Sequence, residues 1–159
     1  MNDAEVTAPA SGRSGHTHPY RRIGAAGFVA TLAAMAATAL SAALARAVGV
    51  DFEVPEGGET IPVTGVAVVT GFFSLVGTVI AAALLRWSAR PAARFLWTAL
   101  TLTVVSLVPP VLSGANAATT ISLVGLHLVA AAVMIPPLTR SLRVIAQRSE
   151  HLTGSIDAE

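Results

Sequence analysis

Four apolar segments, each long enough to cross a lipid bilayer, constrain the fold of this chain more than any other feature. They cover residues 23–45, 63–85, 95–111 and 119–135, and none contains Asp, Glu, Lys or Arg. At about 1.5 Å of helix per residue, such segments match a hydrocarbon layer about 30 Å thick. A composition with 53% hydrophobic and 12% charged residues points the same way. The sequence predicts an all-α integral membrane protein, an antiparallel four-helix transmembrane bundle.

The predicted transmembrane domain covers residues 21–143, and the segments on either side of it are polar. Residues 1–20 contain many Pro, Gly and Ser residues and no apolar period, so we expect a disordered cytoplasmic tail. Residues 144–159 are expected to form a second cytoplasmic tail. A signal peptide is the competing interpretation of segment 23–45, but the segment is longer than an ordinary signal core, which favours a retained helix.

Basic residues are distributed very unevenly over the three predicted loops and two tails. All ten are arginine, and Arg46 alone lies on one side of the four spans. The other nine share the opposite side: Arg13, Arg21, Arg22, Arg86, Arg90, Arg94, Arg140, Arg143 and Arg148. Cytoplasmic loops carry the excess of positive charge, so we expect both termini on the cytoplasmic side of the inner (plasma) membrane. A formal net charge of +1 gives no reason to expect nucleic-acid binding.

Two groups of residues could bind a metal ion, but each has a more ordinary interpretation. The loop after the first span carries Asp51, Glu53, Glu56 and Glu59, whose spacing lacks the alternating pattern of a calcium loop. A solvated turn outside the cytoplasm is the favoured interpretation. His16 and His18 form a short pair in the tail, where a solvated segment is again favoured. We expect no metal and no cofactor, and the absence of cysteine excludes thiolate sites and disulfides.

His127 is the ionisable side chain inside the predicted spans and therefore the first candidate for chemistry in the membrane. If the helices are level, Ser74 and Thr103 lie at a similar depth and are candidate hydrogen-bond partners. Because a neutral, hydrogen-bonded imidazole is cheap to bury, structural packing is favoured over proton or ligand binding. Ser74 or Ser106 could pair with His127 as nucleophile and base, but no nucleophile motif surrounds either serine, so we expect no catalytic residues.

Other patterns predict where helices pack and where they end. Thr70, Ser74 and Thr78 follow an i, i+4, i+8 spacing, which places them on one face of the second helix and indicates a seam with another helix. Two Pro-Pro pairs, at 109–110 and 136–137, are expected to end the third and fourth helices because proline removes a backbone donor and clashes with the preceding turn.

Several local sequences resemble an uncharacterised family of actinobacterial four-helix membrane proteins, classed as a domain of unknown function. The resemblance covers about Arg21 to Arg143. It is carried by Val48-Gly49-Val50-Asp51-Phe52, by Arg94-Phe95-Leu96-Trp97-Thr98, by the uncharged hairpin after Pro109, and by His127-Leu128-Val129 followed by Ile135-Pro136. The resemblance implies the location and topology given above and makes His127 and Pro136 positions of interest. It implies no activity.

The sequence therefore predicts a small multi-pass inner-membrane protein that is not an enzyme and acts as an envelope or interaction protein. Its expected partners are the lipid bilayer and either further copies of the chain or other membrane proteins. The alternative is a proton- or ligand-responsive transport or sensing subunit that uses His127 within an oligomer.

Overall fold

The computed structural model describes the backbone at residues 18–54 and 59–156, and the side chains at residues 19–53 and 60–149. Its helices are α1 (His18–Ala47), α2 (Val63–Trp87), α3 (Pro91–Ser106), α4 (Val108–Leu112) and α5 (Ala117–Ile156). Two-residue strands, β1 (Glu53–Val54) and β2 (Glu59–Thr60), pair antiparallel between α1 and α2. Residues 1–17, which include Arg13 and His16, lie outside the described part, as do Glu56 and residues 157–159.

Four helical stretches of the described chain are long and apolar enough to cross a membrane. They are Pro19–Ala47, Val63–Trp87, Pro91–Leu112 and Ala117–Ser149. Helix α1 packs mainly against α2 and α5, and α3 closes the bundle by packing against α5 and α2. The predicted all-α four-helix bundle is confirmed, with the β1–β2 ladder as a small addition in one loop.

The outer surface of the bundle is apolar along the length of the spans. Phe28 on α1 is 65% exposed, and Phe72 on α2 is 63% exposed. Val79 and Val104 present similar surfaces on α2 and α3. A soluble protein rarely exposes apolar patches of this extent, because their contact with water is unfavourable. The chain thus has the construction of a multi-pass membrane protein whose outer faces contact lipid.

The buried face of α1 is built mainly from small side chains at helical spacing. Its members are Ile23, Gly27, Ala30, Ala34, Thr38 and Ala42. Lipid tails are as apolar as the side chains that they replace, so membrane helices associate through close backbone approach and packing. The small stripe allows that approach, which explains why α1 makes the broadest contacts with α2 and α5.

Hydroxyl groups of α2 meet this face, as the predicted seam requires. The Thr38 hydroxyl donates to the Ala34 carbonyl oxygen at 2.8 Å, and its oxygen lies 3.2 Å from the Thr70 hydroxyl oxygen across the interface. Ser74, one turn after Thr70 on α2, is buried. Thr78, a further turn along, packs directly over Gly27. Polar contacts and small residues therefore occupy the same α1–α2 interface.

Two clusters of buried side chains mark the two ends of the bundle. One brings Ile23 of α1 together with Ala81 of α2, Phe95 of α3, and Leu138 and Leu142 of α5. We call the end of the bundle beside this cluster the basic end, because the arginines at 21–22, 86–94 and 140–148 belong to it. The other cluster joins Ala42, Phe52 and Leu126 beside the β-strands, and we call this the hairpin end.

Short backbone motifs fix the helix termini at the hairpin end. Gly49 adopts φ +92° after α1, its N–H donates to the Arg46 carbonyl oxygen, and the Val50 N–H donates to the Ala45 carbonyl oxygen. This is the Schellman arrangement, which glycine favours because it has no Cβ to clash in the left-handed region. Asn116 caps α5 by accepting the Thr119 N–H at 2.8 Å, which explains the start at Ala117, two residues before the predicted one.

The prediction that the fourth helix ends at Pro136-Pro137 is wrong. Helix α5 continues through both prolines to Ile156. Membrane helices tolerate proline where neighbouring helices support the interrupted turn. Here Met134, Leu138 and Leu142 are buried in the cluster at the basic end, so packing on both sides of the prolines holds the helix together.

The first Pro-Pro pair has a different effect, because the helix breaks just before it. Helix α3 begins at Pro91, four residues before the predicted start, and ends at Ser106. Leu107 caps it, and the single turn α4 follows and contains Pro109 and Pro110. Pro109 cannot donate to the carbonyl of Val105, and its ring crowds that carbonyl. The third span is therefore two helical pieces within residues 91–112.

Replacement of Gly27 by alanine tests the close approach of α1 and α2. The new Cβ would overlap the Thr78 side chain, so that side chain or α2 must shift. We expect Gly27→Ala to lower the unfolding free energy in detergent by about 1–3 kcal/mol, the usual range for an overpacked core. Denaturation followed by circular dichroism measures the change.

Gly24→Ala is the matched control, because a Cβ at Gly24 meets no atom within 4 Å. Alanine is a better helix former than glycine by up to about 1 kcal/mol, so Gly24→Ala should be neutral or stabilising. Equal effects of the two substitutions would contradict the packing described for α1.

Candidate functional site

His127 lies on α5, half-buried, directly after Leu126 of the buried cluster at the hairpin end. Its Nδ1 is 2.8 Å from the carbonyl oxygen of Leu123, one turn earlier on the same helix. A carbonyl oxygen can only accept, so Nδ1 carries the proton and donates it to this bond. The neutral ring therefore has its lone pair on Nε2, and Nε2 is the atom that can take up a proton or bind a ligand.

The two proposed partners of His127 do not hydrogen-bond to it among the described residues. The Thr103 hydroxyl donates to the Ala99 carbonyl oxygen at 2.8 Å within α3. Ser74 is buried on α2, and its carbonyl oxygen accepts the Thr78 hydroxyl at 3.0 Å. His127 instead satisfies Nδ1 within its own helix. A functional role for His127, Ser74 and Thr103 stays a prediction.

The arginines of the predicted topology signal are gathered around the basic end. Arg86 lies in the last turn of α2, Arg90 directly precedes α3, and Arg94 lies in the first turn of α3. Arg140 and Arg143 lie on α5 after the two prolines. All five side chains are exposed. The same end carries Arg21, Arg22 and Arg148, which are also exposed.

Among the described residues, Arg46 is the one arginine at the hairpin end, and it contacts the loop there. Its Nη2 donates to the Ile61 carbonyl oxygen at 2.5 Å, and its guanidinium carbon lies 6.0 Å from the centre of the Phe52 ring. The ring is fully buried, and Phe52 has φ +51°, a strained value for a residue with a side chain. Among the described residues, this carbonyl and this ring are the polar and aromatic contacts of Arg46.

An open depression of about 560 Å³ lies beside these contacts. It is lined by Arg46, Val50, Asp51, Glu53 and Thr60. Both carboxylates are exposed to solvent. No group of three metal-binding side chains is assembled anywhere in the part of the chain that the structure describes. Asp51 and Glu53 line the solvent-exposed rim of this depression, and the side chains of Glu56 and Glu59 lie outside the described residues.

Sequence reasoning overlooked several buried residues that shape the two ends. In the sequence, Phe52 was notable only as part of the motif at residues 48–52, and its burial was not predicted. An aromatic residue three positions after a helix-ending glycine was the signal that could have indicated a ring buried under the loop. Thr119 and Thr139 are buried, and their hydroxyl oxygens have no hydrogen-bond partner among the described residues. No sequence pattern distinguishes these two from the threonines that bond to their own helix.

A comparison with protein-family models matches residues 18–144 to a family described as "Family of unknown function (DUF6069)". The chain belongs to this family. The DUF6069 match begins with α1, contains the first three spans, and covers the fourth as far as residue 144, one residue after Arg143. Comparisons with curated proteins and with solved structures found no match. Membership in DUF6069 agrees with the resemblance to a membrane-protein family without assigned function, and it assigns no activity to His127 or to the arginines.

Proposed function

We propose that this DUF6069 protein is a non-enzymatic component of the plasma membrane of an actinobacterium that acts by binding other membrane components. The observation that carries the proposal is the division of charge between the two ends of the bundle. Eight described arginines lie at the basic end, and Arg46 alone lies at the hairpin end. By the positive-inside rule, the basic end and both termini face the cytoplasm.

The use of polar side chains inside the bundle supports a role without catalysis. The hydroxyls of Thr38, Thr78 and Thr103 donate to carbonyls one turn earlier on their own helices, and Ser106 bonds in the same way to Thr103. Catalysis by a serine or threonine needs a hydroxyl in hydrogen-bond contact with a base. In the described structure these groups are occupied by local backbone bonds instead.

The outer face of α3 supports association with another membrane protein. Only 11% of the apolar 18-residue stretch that marks the third span is buried, compared with 28% of the corresponding stretch of the first. Trp97, Thr101 and Val104 follow a helical spacing on α3, Val108 begins the short helix α4 that follows, and all four are exposed. Thr101 presents a hydroxyl near the middle of the span, where polar side chains commonly join helices. We infer that a second copy of the chain packs against this face.

Single cysteines test the orientation, because the chain has none of its own. Val48→Cys lies at the hairpin end and Ala89→Cys at the basic end, and both positions are exposed. In intact cells, we expect a membrane-impermeant maleimide to label Val48→Cys at once and Ala89→Cys only after permeabilisation. Immediate labelling of Ala89→Cys, with protection of Val48→Cys, would place the basic end outside.

Association through α3 is tested by oxidative cross-linking in native membranes. We expect Thr101→Cys to yield a disulfide-linked dimer, because a symmetric α3 contact brings the two thiols together. Leu75→Cys, exposed near the middle of α2, is the control at a comparable depth and should remain monomeric. Equal cross-linking of the two variants would indicate random collision, and the absence of a dimer with Thr101→Cys would argue against this interface.

A proton- or ligand-responsive subunit is the second candidate function, and the hydrogen bond of His127 is the observation that favours it. The Leu123 carbonyl fixes the proton on Nδ1 and leaves Nε2 as the acceptor. A histidine held in one tautomer is suited to reversible proton uptake when water or a ligand reaches its free nitrogen. Within an oligomer, such access could lie between protomers.

Nitrogen NMR of labelled histidine in nanodiscs separates the two candidates, with His127→Gln used to assign the signal. For the structural protein we expect a neutral ring with its proton on Nδ1. A ring protonated on both nitrogens would show water access in the membrane and favour the responsive subunit. A proton on Nε2 in the neutral ring would contradict the bond to Leu123.

A further inference from the structure

The basic end carries a concentration of positive charge, and no described side chain beside it is acidic. The sequence has no Asp or Glu within residues 18–30, 84–98 or 136–149, which form this end. The acidic residues of the two tails, at positions 3, 5, 150, 157 and 159, lie outside the described side chains. Eight arginines lie there, and those at positions 21, 22, 86, 90, 94, 140, 143 and 148 are all exposed. Like charges gathered at one end of a bundle repel one another, so an external anion would stabilise this arrangement.

Helix dipoles increase this excess of positive charge. The N-terminus of a helix carries a partial positive charge and favours acidic side chains in the first turn. Helices α1 and α3 have no acidic residue in the first turn. Instead Arg21 and Arg94 are each the fourth residue of their helix, and Arg22 follows the first of them. Two of the helix starts at this end therefore combine the dipole with like-signed side chains.

Two tryptophans place the arginines at the depth of lipid headgroups. Trp87 is 77% exposed and directly follows Arg86, and Trp97 is 71% exposed and comes three residues after Arg94. Indole rings prefer the boundary between hydrocarbon and water. Guanidinium groups beside them can reach the layer of phosphates while their aliphatic stems stay against apolar surface.

We propose that the basic end binds the phosphate groups of anionic phospholipids, such as phosphatidylglycerol or cardiolipin. Phosphate is the anion present at this depth in every bilayer, and a net negative headgroup supplies the charge that the helix starts lack. Arginine also offers a planar pair of donors that matches two phosphate oxygens, which the single ammonium of lysine does not. Binding of this kind does not depend on which side of the membrane the basic end faces. Its failure can therefore be distinguished from a failure of the proposed topology.

Native mass spectrometry of the detergent-purified chain, with equimolar phosphatidylglycerol and phosphatidylcholine, measures the preference. We expect phosphatidylglycerol to be retained in excess by the wild-type protein. The double variant Arg90→Gln with Arg94→Gln should bind phosphatidylglycerol more weakly, on the order of fivefold for each arginine removed, as expected for a basic residue near an anionic surface. If this variant does not fold, Arg140→Gln with Arg143→Gln on the exposed surface of α5 tests the same prediction.

Arg46→Gln is the matched control, because it removes an arginine from the opposite end of the bundle. It should keep the wild-type preference for phosphatidylglycerol. Equal retention of the two lipids by the wild-type protein, or an unchanged preference after loss of two basic-end arginines, would overturn the proposal. Glycerol 1-phosphate at the concentration of the lipid distinguishes a headgroup from a free phosphate. Displacement of the lipid by it would assign the end to a soluble phosphate compound instead.

Discussion

Close contact between α1 and its two neighbours is the condition on which the rest of the bundle depends. Within hydrocarbon, burying an apolar side chain against another helix gains little over burying it in lipid. The helices are therefore held together by dispersion between closely fitting surfaces. This attraction weakens rapidly as the distance between the helices increases. The stripe from Gly27 to Ala42 keeps that separation small, and the Thr38–Thr70 contact adds a polar link at its centre.

The hydrocarbon environment also explains how this bundle uses polar atoms. A hydroxyl in hydrocarbon must find a partner, and the nearest acceptor is a carbonyl one turn earlier on the same helix. Thr78, Thr103 and the imidazole of His127 all use this solution. Such bonds anchor a side chain without tying one helix to another, so much of the interhelical fit comes from shape. The atoms left over, chiefly His127 Nε2, are those through which the interior could respond to its surroundings.

The sequence predicted the number and order of the spans well, because length and apolar composition are properties of the chain alone. It predicted helix ends less well. The two Pro-Pro pairs look alike in sequence, but one lies before a turn at Ser113–Asn116, whereas the other is flanked by the buried side chains Met134 and Leu138. The i, i+4, i+8 spacing of Met134, Leu138 and Leu142 was present in the sequence. Its burial depends on α1 and α3, which no local pattern specifies.

The candidate site shows the same limit. The depth of His127 could be predicted by counting residues along α5, but its orientation depends on rotation about the helix axis and on the side-chain rotamer. The expected contacts with Ser74 and Thr103 assumed a particular rotation of α5 and a particular rotamer of His127. Phe52 illustrates the point in the loop, because its left-handed backbone and buried ring follow from the way α1 ends at Gly49 and from the space beneath the hairpin.

The unbroken course of α5 has a mechanical consequence. A helix of 40 residues is about 60 Å long, roughly twice the thickness of a hydrocarbon layer. A rod of this length, clamped at Leu138 and Leu142 by the core of the bundle, holds its distal end at a set height and direction relative to the membrane. A small tilt at the clamp becomes a displacement of several ångströms at the tip. The C-terminal part of α5 therefore converts a small rotation within the bundle into a larger displacement outside it.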